Sequence, residues 1–127
     1  MRLIKEIIIH CSDTPAGRDD SVKDIDRWHK ARGWSRVGYH FVIRLDGTIE
    51  KGREEEVIGA HCKGHNSNSI GVCYIGGKGG DTRTDAQKKS LKVLVEYLKL
   101  SYPQAKVYGH YDFSSKTCPN FNVDELR

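Results

Sequence analysis

The run from Leu3 to Cys11 constrains this chain more than any other stretch. It is interrupted only by Lys5 and Glu6 and carries Ile7-Ile8-Ile9 at its centre. A β-branched, strongly apolar segment of this kind suits a central strand, covered on both faces. It also brings His10 to the carboxyl end of that strand, the edge at which α/β sheets build their sites.

Strand and helix signals alternate through the rest of the chain. Ser21 reads as an N-cap, Val22, Ile25 and Trp28 fall at helical spacing, and Gly33 is a natural stop, which predicts a first helix over residues 22–32. Residues 39–45 read as strand. Asp46-Gly47 predicts a two-residue hairpin turn with both central residues at positive φ, after which residues 48–51 pair back. A loop over 58–68 leads to a buried strand over 69–75. The following Gly76-Gly77-Lys78-Gly79-Gly80 has no phosphate-loop spacing and reads as a connector. Thr84 and Gln87 form a capping-box signature for a long helix ending near Ser101, with Leu91, Leu94, Val95 and Leu98 on one stripe. A short strand over 105–109 delivers His110, and Asn122 opens a last helical turn. The expected fold class is α/β: a single domain over 1–127 with a central mixed β-sheet flanked by helices.

Composition excludes several functions. With 127 residues, 37% hydrophobic and 30% charged, the chain fits one compact domain and has no room for a second. The net charge of +4 comes from Lys and Arg scattered among acids, which favours a negatively charged partner such as a cell-wall polymer over nucleic acid. Four cysteines are too few for a disulfide scaffold at this length, so reduced, partly buried thiols are expected at Cys11, Cys62 and Cys73. No segment approaches the ~20 apolar residues that span a bilayer, and none reads as a secretory signal. The expectation is therefore a monomer, cytoplasmic at synthesis and without membrane insertion, that reaches an external substrate through lysis or a separate export route.

The chemistry is carried by His10 with His110 and Cys118, the latter two within Gly-His-Tyr-Asp-Phe-Ser-Ser-Lys-Thr-Cys-Pro. Two imidazoles and a thiolate make a three-ligand zinc site, the number at which a catalytic zinc keeps a position open for water. Such an ion lowers the pKa of its water from about 15.7 toward roughly 7, and metal-assisted hydrolysis follows. Two other readings compete: His10 as a hydrogen-bonded core residue, and Cys118 as a nucleophile with His110 as its base, the chemistry of a cysteine peptidase. Sensitivity to chelators separates the metal from the nucleophile.

Further motifs run in register from about Ile7 to Phe121: Trp28-His29-Lys30, Gly33-Trp34, Val37-Gly38-Tyr39-His40-Phe41, Gly59-Ala60-His61, and the stretch from Gly64 through His65-Asn66 to Cys73. Together they resemble the zinc N-acetylmuramoyl-L-alanine amidases of the phage lysozyme and peptidoglycan recognition protein family, most of all the small amidase-type lysozymes of T-odd phages. The resemblance implies hydrolysis of the amide between N-acetylmuramic acid and L-alanine in peptidoglycan, with one Zn2+ on His10, His110 and Cys118. It implies Tyr39 as the tyrosine beside the metal and Lys116 as the catalytic lysine. The oxyanion that develops on the carbonyl calls for a cation, which suits Lys116, while Tyr39 would position water or relay a proton. His61 falls in a loop that resembles the family segment near metal and substrate, where it would bind substrate or orient a ligand. Asn66 and Trp34 are further substrate-groove candidates, with loop fixing the competing role for Asn66. His40 alternates away from Tyr39 and is not placed in the site.

Recognition proteins of this family that bind wall fragments without cleaving them typically lack the cysteine ligand, which this chain has. A binding or regulatory module using the same groove is the alternative to an enzyme. Two departures stand out: His65 occupies a position where the T-odd phage lysozymes usually have Tyr, and the carboxyl-terminal helix is short. The resemblance also names phage RNA polymerase as a protein partner, contacted through an amino-terminal part that is short here.

Overall fold

The computed structural model describes residues 2–127. Five strands, β1 (Glu6–Cys11), β2 (Phe41–Ile43), β3 (Ile49–Lys51), β4 (Ser69–Tyr74) and β5 (Lys106–Gly109), form one sheet in the order β3-β2-β4-β1-β5. Pairing is parallel throughout except for β2 with β3, so the sheet is mixed, as expected. Two helices, α1 (Val22–Ala31) and α2 (Asp85–Ser101), flank it. Short 3-10 turns at Asn66–Asn68, His110–Asp112 and Val123–Leu126 finish the chain's connections. Among the described residues, no helix is long and apolar enough to cross a membrane.

The β1 run is apolar because both of its neighbours and both of its faces are covered. Alternation sends Ile7, Ile9 and Cys11 into the larger core with Ile70, Val72, Tyr74 and Val107, where they meet Leu91, Leu94, Val95 and Leu98 of α2. Each such side chain, buried fully, contributes about 1.5–3 kcal/mol from removal of its surface from water. The opposite face packs Val42 and Cys73 against Ile25 of α1. That second core is small, and the remaining space on its side is filled by histidines.

Local signals fix the helix ends. Thr84 Oγ1 accepts the Gln87 backbone N–H at 3.0 Å while Gln87 Oε1 accepts that of Thr84 at 3.0 Å, a complete capping box. At the end of α1, Gly33 N–H donates to Lys30 O at 2.9 Å and Trp34 N–H to His29 O at 3.1 Å. This is the paired bonding of a Schellman motif, and it turns Trp34 back onto the His29 ring at 4.4 Å between centroids. Asn122 caps the last turn, its Oδ1 accepting from Asp124 N–H at 2.9 Å.

The hairpin differs from expectation. Gly47 N–H donates to Arg44 O at 2.9 Å, and Arg44 N–H to Thr48 O at 2.9 Å, so three residues, not two, make the loop. Gly47 alone has positive φ, at 88°, and Asp46 does not. A tight turn followed by a left-handed glycine lets the strands keep their twist, and Asp46 instead accepts the Thr48 N–H at 2.9 Å. The strand expected over 39–45 is also shorter, because Arg44 and Leu45 enter this turn. Cys11, Cys62 and Cys73 are free, buried thiols, as expected, and Cys118 is likewise in no disulfide.

Candidate metal centre

Adjacent parallel strands bring the two histidines together. β1 and β5 run side by side with Ile9 opposite Gly109, so His10 at the end of one and His110 just past the other are neighbours, their ring centroids 4.6 Å apart. Cys118 returns over the loop that follows His110. Tyr111 N–H holds its carbonyl at 2.9 Å, and the Cys11 N–H donates to its Sγ at 3.1 Å. One donor atom from each of His10, His110 and Cys118 lies within 4.8 Å of the others, an arrangement that can hold a metal ion.

The chemistry of these donors fits a cation. His10 is 1% exposed. Burial, followed by the nearby His61, His110 and Lys116, holds its pKa well below the ordinary value, and burial and Lys116 lower that of His110. Both imidazoles are thereby neutral, the form that ligates. Cys118 is pushed up by its contact with Cys11 and by burial, so a positive ion is what would draw it into the thiolate.

Behind His10 stands a relay of polar groups. His10 Nε2 lies 2.9 Å from His61 Nδ1, and His61 Nε2 lies 3.1 Å from the hydroxyl of Ser69, itself fully buried. His61 fits because position 71 is glycine: a Cβ there would lie 2.6 Å from the imidazole. Burial, with His40 and His110 nearby, depresses His61 to about 3. Asn66 secures this loop, its Oδ1 accepting the N–H groups of His61 and Cys62, each at 2.9 Å. His40 lies outside the donor set, accepting the Gly71 N–H on Nδ1 at 3.0 Å with its Nε2 2.8 Å from Val57 O.

The donors sit in a cavity of about 980 Å3 whose walls include Tyr39, Trp34, His61, Asn66 and Lys116. Tyr39 lies over His10 at 5.1 Å between rings, and burial raises its phenol well above the ordinary value, so it is a neutral hydrogen-bonding group. Lys116 is exposed on the loop between His110 and Cys118. Trp34, 37% exposed, offers an aromatic wall. Two aromatic wall residues had no role assigned from the sequence. His29, which accepts the Gly38 N–H on Nδ1 at 2.9 Å, follows from the α1 stop that folds Trp34 onto it, whereas no local signal marks Phe113.

Residues 1–121 match the family model described as N-acetylmuramoyl-L-alanine amidase. An endolysin of Klebsiella phage KP32 is 46% identical over 123 residues, covering 93% of this chain and 82% of the relative. Among solved structures, the N-acetylmuramoyl-L-alanine amidase LysC from Clostridium intestinale URNW superposes with a TM-score of 0.88 at 35% identity, over 97% of this chain and 82% of its own. A mutant of Drosophila PGRP-LB in complex with tracheal cytotoxin superposes with a TM-score of 0.84 at 28% identity, over 94% of this chain and 77% of its own. Sequence, fold and the clustered donors agree, and the chain belongs to the N-acetylmuramoyl-L-alanine amidase family of phage endolysins.

Proposed function

We propose that His10, His110 and Cys118 hold one Zn2+ and that the chain hydrolyses the amide linking N-acetylmuramic acid to L-alanine in peptidoglycan. The observation that carries this reading is the convergence of those three donors, within 4.8 Å of one another, on the wall of an open cavity. Two imidazoles and a sulfur suit zinc, where an all-oxygen set would suit calcium or magnesium. The tracheal cytotoxin bound by the PGRP-LB mutant supports a wall fragment as the occupant of the groove.

Zinc, when bound, supplies a Lewis acid that polarises the amide carbonyl and acidifies water. The chain's own groups do the rest. Ligation through Nδ1 of His10 requires its proton on Nε2, donated to His61 Nδ1; His61 then carries its proton on Nε2 toward Ser69. This fixes tautomer and ring angle together. Lys116 presents its ammonium to the negative charge that develops on the carbonyl oxygen, and the neutral Tyr39 hydroxyl orients the attacking water. Trp34 supports the sugar or stem peptide along the groove wall, while Asn66 holds the His61 loop in shape.

Incubation with purified muropeptides tests the reading. Free stem peptide should appear with zinc present, vanish under chelation and return when zinc is restored. Cys118→Ser should lose both the metal and hydrolysis while keeping the fold by circular dichroism. Full turnover by metal-free protein, or binding of muropeptide with no product at all, refutes it.

A further inference from the structure

Phe113 lies between His110 and Cys118 on the loop that also carries Lys116, and its ring lines the cavity. Its seat is built from three separate parts of the chain. The His65 imidazole stacks on it at 3.8 Å between centroids and 22° between planes, while Tyr108 of β5 meets it at 5.0 Å. His65 is itself anchored, its Nδ1 2.9 Å from Glu6 Oε1 at the start of β1. Glu6 and Tyr108 belong to adjacent, paired strands, so the stack rests on the sheet and not on another loop.

From this geometry we propose that His65 is a positioning residue: it clamps Phe113 and thereby sets the loop that presents Lys116 to the substrate. The inference rests on the reading of Lys116 given above. Hydrogen bonds within the loop are few and local: Phe113 N–H donates to His110 O at 3.1 Å, Ser114 Oγ to His110 O at 3.2 Å and Lys116 N–H to Ser114 Oγ at 3.2 Å. None of them ties residues 113–117 to the sheet. The aromatic stack with His65 and Tyr108 does. An aromatic ring, not specifically a histidine, is what the clamp requires.

Three measurements on His65→Ala and His65→Phe test this. In metal-free protein, amide hydrogen exchange of residues 113–117 should speed up in His65→Ala and return close to the parent rate in His65→Phe. With zinc loaded, kcat on muropeptide should fall about tenfold in His65→Ala, as expected when a charge-stabilising group is held less firmly, and recover in His65→Phe. Zinc bound per chain should be the same in all three proteins. Unchanged exchange in His65→Ala, a loss that His65→Phe fails to restore, or a fall in kcat matched by loss of zinc would each overturn the clamp. A parent protein without turnover would instead refute the amidase reading, and the exchange measurement would still decide the clamp.

Discussion

The two faces of the central sheet are built from the same strands on opposite terms. One face presents Ile7, Ile9, Ile70 and Val72 to the leucines of α2, and its contacts are numerous, apolar and interchangeable. The other carries His10, His40 and His61, each held by specific polar partners. β1 serves both, because alternation along a strand sends successive residues to opposite sides. The α2 face rests on many apolar contacts, whereas the histidine face rests on a few directional ones, such as His61 Nδ1 beside His10 Nε2.

Breaking the apolar face should give the largest stability change. Leu98→Ala should lower unfolding free energy by about 2–5 kcal/mol in a urea titration, with zinc affinity of the folded protein unaltered. A parallel loss of zinc affinity would mean that the two faces are coupled. On the other side, His61→Ala should lower the urea midpoint of the metal-free protein by less than Leu98→Ala does, yet weaken zinc binding by about 10–100-fold, read by competition with a chelating dye. Equal zinc affinity in that variant would remove the relay from the account.

The smallest effect sharpens the contrast through pH. Burial, followed by nearby charges, holds His29 and His40 at about 4 in the fold. Their unfolded-state values are ordinary, so below about pH 6.5 the unfolded chain takes up protons that the fold refuses. Stability is therefore complete above that pH and is lost progressively toward about pH 4. At about pH 6 the loss should be roughly 1 kcal/mol or less per ring. Leu98→Ala should show the same pH slope as the parent, since the site affected titrates nothing, and a steeper slope would contradict the division between faces.

Legibility followed the same division. The α2 stripe and the Thr84–Gln87 capping box depend on residues within a few positions of one another, so periodicity and caps were enough to find them. The candidate donors His10, His110 and Cys118 span nearly the whole chain, yet their residue types are distinctive enough to suggest a zinc set. The contact of His61 with His10 could not be derived from spacing, because it depends on the register of β1 against β4 and on the room left by Gly71. The hairpin was misread for a related reason: Asp46-Gly47 admits two loop lengths, and the bond from Arg44 to Thr48 selects the longer. The stack of Phe113 on His65 had no local signature at all.

The bond from Cys11 N–H to Cys118 Sγ joins positions 107 residues apart. A ribosome releases the first strand long before the last ligand, at about 5–20 residues per second. For most of that interval the nascent polypeptide has His10 without either of the other two donors that lie beside it in the fold. A product cut short before Cys118 loses this tie to the first strand together with one of the three proposed zinc donors, and should bind the ion more weakly than the parent.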